Sequence, residues 1–148
     1  NFILAEAALK GWAVGGTAEE YYNKAIQASF TTWGISGQVE NYLQQESVKF
    51  DGTLKQLMEQ KWVSSWTAAA EAWFDYRRTG YPELEAGPYT IRSVLPVRFY
   101  YMVEERNLNG ANSEEAMNRL ETTNFSEVDG ANSAWSKPWV IQGTGKPW

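Results

Sequence analysis

The sequence predicts a mainly α chain: tetratricopeptide-like helical hairpins first, then a loop-rich C-terminal region with little β structure. Three observations carry this. Apolar residues recur at three- and four-residue spacing from Phe2 to Trp33 and again from Leu54 to Trp73, with a weaker signal between Ile35 and Gly52. Thr17 followed by Glu20 has the form of a capping box, a helix start. Beyond Gly80 and Pro82 the helical period gives way to Gly, Pro and Asn punctuation.

The first helix is expected over residues 1–9, where Phe2, Leu4, Ala5, Ala8 and Leu9 share a face, and it stops near Gly11. A chain that opens inside a helical pattern, without an initiator Met, is expected to begin inside a larger protein. Gly15 and Gly16 turn the chain, and from Thr17 the residues Tyr21, Tyr22, Ala25, Ile26, Ser29, Phe30 and Trp33 keep helical spacing up to Gly34, which suits the position beyond a C-cap. Two helices within residues 1–34 have the length of one tetratricopeptide-type hairpin, which cannot bury its apolar stripe alone. Val39, Tyr42 and Leu43 suggest a short helix, with a loop near Phe50 and Gly52.

Residues 53–79 are expected to form Trp-striped helices. Leu54, Leu57, Met58, Trp62, Trp66, Ala69, Ala70 and Trp73 fall three or four apart, so the three indoles are predicted to lie buried along one side, with a break among Ser64, Ser65 and Thr67. Residues 80–148 are expected to be loop-rich. Alternation at Val97, Phe99, Tyr101 and Val103 suits a short strand, one short helix starts at Ser113, and the tail is irregular and pinned by its indoles.

Composition narrows the chemistry. The 148 residues contain no Cys and no His, so thiolate nucleophiles, histidine bases and Cys/His metal sites cannot be built from this chain. A formal charge of −5 opposes nucleic-acid binding, which draws most of its affinity from cations on phosphates. Aromatic residues make up 15% of the chain, including 8 Trp, and serve either as helix-packing blocks or as platforms for planar and pyranose-like ligands. No stretch has the roughly 18 consecutive apolar residues of a membrane-spanning helix.

The densest polar cluster is Glu71, Trp73, Asp75, Arg77 and Arg78. Asp75 and Arg78 are spaced to pair, and Arg77 is spaced to lie over Trp73. The cluster reads as a structural helix end, or alternatively as a carboxylate pair, Glu71 and Asp75, of the kind glycosidases use. Glu104 and Glu105 beside Arg98 and Arg106 suggest an ion-pair network. Glu127, Asp129 and Asn132 near Gly130 lack the spacing of a calcium loop, and Gly15-Gly16-Thr17 has no Lys where a phosphate loop needs one, so neither metal nor cofactor is expected.

The run Glu71-Ala72-Trp73-Phe74-Asp75-Tyr76-Arg77-Arg78-Thr79-Gly80-Tyr81-Pro82-Glu83-Leu84, preceded by Gln60-Lys61-Trp62, resembles the late helical signature of the SusD/RagB family. Pro96-Val97-Arg98-Phe99-Tyr100, then Glu104 and Asn107, is similar to the family's following segment, with Tyr101 where Pro is usual. Ala5-Glu6-Ala7, Ala25-Ile26-Gln27-Ala28-Ser29-Phe30 and Trp33-Gly34 extend the likeness upstream. The resemblance implies a SusD-like α superhelix and the C-terminal part of a longer, non-catalytic, glycan- or nutrient-binding lipoprotein. Such a protein sits at the outer-membrane surface of Bacteroidetes-type bacteria, works with a SusC-like TonB-dependent transporter in polysaccharide uptake, and is held by an N-terminal lipid anchor absent from this chain. It also implies that Trp62, Glu71, Trp73, Asp75, Arg77 and Arg78 are a structural motif, and that the sugar-stacking aromatics lie largely upstream. Within this chain, Trp135, Trp139 and Trp148, outside any helical stripe, are the candidate ligand-binding residues. Two other functions stay open: a helical-repeat module that docks protein, and a carboxylate-dependent glycoside hydrolase.

Overall fold

Helix α1 (Phe2–Leu9) packs on α2 (Ala18–Thr32), and the turn between them is closed by side chains. In this computed structural model, which describes all residues 1–148, the Thr17 hydroxyl accepts the Glu20 backbone N–H at 3.2 Å while the Glu20 carboxylate accepts the Thr17 N–H at 2.8 Å. Two otherwise unpaired amides are thereby satisfied, as the sequence predicts. Helix α2 ends with Trp33 as its C-cap and Gly34 in the left-handed region, where a residue without Cβ is at no steric disadvantage. Helix α3 (Val39–Leu43) follows a short 3-10 turn over Ser36–Gln38. Helix α4 (Leu54–Ser64) starts at Thr53, whose hydroxyl accepts from Gln56 N at 3.1 Å. The predicted break falls after Ser64, and α5 (Ala69–Thr79) follows it.

The chain divides into two units, Asn1–Phe74 and Asp75–Trp148, with the boundary inside α5. The first is built on an apolar interior. Ala5, Tyr22, Ala25, Ile26, Val39, Val48, Leu57 and Met58 are buried there, where α1, α2 and α4 meet. Each of the larger aliphatic side chains contributes roughly 1.5–3 kcal/mol of transfer free energy.

The indole stripe is not buried as predicted. Trp62 is exposed at 44% and Trp66 at 69%. The helical period explains the first: Trp62 lies about 140° around the helix from fully buried Leu57, so it faces away from the side that carries Gln56, Leu57 and Gln60. Trp66 lies beyond the end of α4, where the period no longer applies. Trp73 is half-buried, its ring 6.1 Å from that of Phe74.

The second unit has a mostly polar interior. Tyr76, Val97 and Ile141 are buried, but so are Thr79, Arg98, Ser113, Ser126, Ser133, Ser136 and Lys137. No strand forms over residues 97–103. Val97 N and Arg98 N instead both donate to Ala134 O, at 2.9 and 3.2 Å, which ties two loops at one point. The only β feature is an isolated antiparallel bridge between Glu121 and Lys137. Two short helices, α6 (Val103–Leu108) and α7 (Gly110–Asn118), replace the single helix expected from Ser113. Ser113 is inside α7, its hydroxyl donating back to Gly110 O at 3.0 Å rather than capping a start. Further 3-10 turns run over Glu127–Asn132 and Trp139–Ile141. No helix is long and apolar enough to cross a membrane.

Candidate functional site

The signature block is a helix followed by a fixed turn. Asp75 pairs with Arg78 at 2.9 Å, as their spacing predicts. Arg77 donates through Nη1 to Val97 O at 3.1 Å, and burial lowers its guanidinium pKa. Thr79 closes the helix end: its hydroxyl donates to Asp75 O at 2.7 Å and accepts from Tyr81 N at 3.1 Å. Gly80, in the left-handed region, is buried beside Lys146 and Pro147. These bonds hold backbone, a positioning task. Glu71 is exposed on the surface of α5, and Asp75 is bound to a cation, so neither acid has the secluded, unpaired setting a glycosidase acid needs.

The network expected among Glu104, Glu105, Arg98 and Arg106 does not form. Arg98 turns inward, where burial lowers its pKa. Its Nη1 donates to Ser133 O at 2.7 Å, and the guanidinium lies 5.0 Å from the centre of the Tyr101 ring. Glu105 instead accepts from Asn109 Nδ2 at 2.8 Å. Two of the three residues weighed for calcium, Asp129 and Asn132, have other partners. Asp129 accepts from Ser133 Oγ and from Arg92 Nη2, both at 2.6 Å, and these bonds hold its carboxyl below the usual range. The Asn132 carboxamide bonds both the N–H and the carbonyl of Tyr101, each at 2.8 Å.

The three C-terminal indoles occupy different settings. Trp135 is half-buried, donates through Nε1 to Val94 O at 3.0 Å, and carries the Arg92 guanidinium 4.0 Å from its ring centre. Trp148 is half-buried too, donates to Leu95 O at 3.3 Å and meets Phe125 edge-on at 5.0 Å. These two pin the tail to the loop at Val94 and Leu95. Trp139, at the start of a 3-10 turn, is 82% exposed.

A second aromatic feature lies in the first unit, where the sequence reading placed only core. Trp33 and Trp66 contact each other, ring centres 5.1 Å apart and planes tilted by 44°, with 46% and 69% of their surfaces exposed. Beside Trp33 opens a groove of about 290 Å³ whose walls include Phe2, Ser29, Thr32, Ser64 and Thr67. Both indoles sit at helix ends, one the C-cap of α2 and the other past α4. That position is the sequence signal that would have separated them from the buried period.

Three solved structures locate this architecture. A SusD-like protein of Bacteroidetes AC2a superposes with a TM-score of 0.79 at 26% identity, over 95% of this chain and 28% of that one. A SusD-like protein from Bacteroides thetaiotaomicron gives 0.76 at 27% identity, over 95% and 35%. A chitin-binding SusD homologue from Flavobacterium johnsoniae gives 0.74 at 26% identity, over 96% and 35%. The chain thus spans about a third of the length of the proteins it resembles. No curated protein matches it. Residues 1–102 match the model of the SusD-like family described as starch-binding and associating with the outer membrane, and the chain belongs to that family.

Proposed function

We propose that this chain is part of a non-catalytic glycan-binding protein of the bacterial outer-membrane surface. In this reading a longer parent protein, lipid-anchored at its N-terminus, captures a polysaccharide and passes it to a SusC-like TonB-dependent transporter. The observation that carries the reading is the family match over residues 1–102. The aromatic-rich, acidic composition supports it, because a sugar ring offers C–H faces to indoles and hydroxyls to carboxylates, amides and Arg, and needs no His, Cys or cofactor. The setting of Glu71 and Asp75 disfavours the hydrolase reading. Among the C-terminal indoles, Trp139 has the free ring suited to a sugar face, whereas Trp135 and Trp148 hold the loop at Val94 and Leu95.

The test is isothermal titration of the parent protein with neutral oligosaccharides of the starch and chitin series, together with a reducing-sugar assay on the same mixtures. Binding without release of reducing ends, and co-purification with a TonB-dependent transporter, are expected. Silence across the panel, or steady release of sugar, would overturn the reading.

A further inference from the structure

We propose that the Trp33–Trp66 pair and the groove beside it form a binding surface for neutral pyranose rings, separate from Trp139. This rests on the reading of the protein as a glycan binder and adds a place and a ligand charge to it. The indoles, tilted by 44°, leave most of Trp66 and nearly half of Trp33 in water. The C–H face of a sugar can cover such a surface without losing its hydroxyls to an apolar wall.

The groove supplies what those hydroxyls need. Ser29, Thr32, Ser64 and Thr67 line it. Thr32 Oγ1 already donates to Ala28 O and Ser64 Oγ to Lys61 O, each at 2.9 Å, which leaves their lone pairs to accept from a ligand. Apart from the α-amino group of Asn1, nothing ionisable lines the groove, so a uronate or sulfated sugar would find no Lys or Arg side chain there to pair with. A volume of about 290 Å³ is at the lower end for small-molecule sites and suits a short stretch of sugar chain.

The experiment is calorimetric titration of the 148-residue chain with maltoheptaose and chitohexaose, repeated with Trp66→Ala, with Ala28→Glu and with Tyr89→Ala, which removes a fully exposed ring outside both candidate sites. Ala28→Glu places a charge in the groove wall without touching an indole, and circular dichroism checks that each variant keeps its helix content. The expected result is binding of one of the two sugars, weakened at least tenfold by Trp66→Ala and by Ala28→Glu and retained by Tyr89→Ala. Unchanged affinity in the two groove variants would overturn the site while leaving the protein a glycan binder. Failure of the chain to bind either sugar would also overturn it, and titration of the parent protein would then decide the broader reading separately.

Discussion

The Gln56 carboxamide donates to the Tyr22 hydroxyl at 3.1 Å, joining α4 to α2 across 34 residues of sequence. The same nitrogen lies 2.9 Å from Ser47 O and 3.2 Å from Val48 O, and the Tyr22 hydroxyl itself donates to Val48 O. A phenol and an amide thus satisfy carbonyls of the loop between α3 and α4, which no helix or sheet ladder provides for. Phe50 from that loop lies against the Tyr22 ring at 4.9 Å, and Phe2 meets it edge-on at 6.3 Å. The loop is therefore part of the core.

Replacing Tyr22 with Phe keeps the ring and removes the hydroxyl, and is expected to cost about 1–2 kcal/mol in urea denaturation. A pH signature accompanies it. Burial pushes the Tyr22 phenol from the ordinary 10.0 up to about 12, so the folded state holds the proton more tightly than the unfolded chain. The stability tied to the neutral phenol is present in full below pH 10.0 and is lost as pH rises toward about 12. Tyr22→Phe should flatten the alkaline fall in denaturation midpoint. An identical alkaline slope in the variant would show that another group is responsible.

Signals confined to a few residues were legible in the sequence. Thr17 with Glu20, Gly34 after Trp33, and Gly80 before Pro82 each fix a local backbone geometry, and each helix end falls where they put it. The buried polar groups were not legible, because Gln56, Arg98 and Lys137 are buried by loops that tertiary contacts place. The stripe of Trp62, Trp66 and Trp73 failed for two reasons: Trp62 lies on the far side of α4 from Leu57, and one helical period was carried across the break after Ser64 to Trp66 and Trp73. The same break is what exposes Trp66 beside Trp33.

Thr17→Ala removes the hydroxyl that accepts from Glu20 N and is expected to lower stability by about 1 kcal/mol in denaturant titration. It also changes the acid limb. The Thr17 backbone N–H, followed by its hydroxyl, lowers the Glu20 pKa from 4.5, so the stability this carboxylate contributes is present above that value and is lost as pH falls through the lowered one. A Glu20→Gln variant should therefore show a shallower acid-side decline than the wild-type chain. If both decline alike, the box contributes nothing through charge.

Gly80→Ala is expected to be costly for two separable reasons. At φ +74° an L side chain is strained, by about 1–2 kcal/mol. A Cβ there would also lie 2.6 Å from Lys146 Cδ and 3.3 Å from Pro147 Cα. The lysine stem can move, but the proline backbone has less freedom. Gly143→Ala is the control, with φ +70° and nothing within 4 Å of the added Cβ. Thermal denaturation should rank the chains wild type, Gly143→Ala, Gly80→Ala in falling order, and equal losses in the two variants would mean that the contact with residues 146 and 147 is unimportant.

Arg98 and Asn132 should behave as one unit. The Asn132 carboxamide grips both backbone groups of Tyr101, while Arg98 reaches Ser133 O and lies over the Tyr101 ring, so each residue holds the loops that position the other. Lysine retains the charge of Arg98 but not its planar fork, and Arg98→Lys is expected to cost about 1.5–3 kcal/mol as a lost charge-assisted hydrogen bond. Asn132→Ala should free the Tyr101 N–H, which then exchanges with solvent faster by hydrogen–deuterium exchange. Because the two side chains share Tyr101 as a partner, the double variant should lose less than the sum of the single losses, by about 0.5 kcal/mol or more. Strict additivity, with Tyr101 exchange unchanged in Asn132→Ala, would show that these loops are held by Trp135 and Trp148 alone.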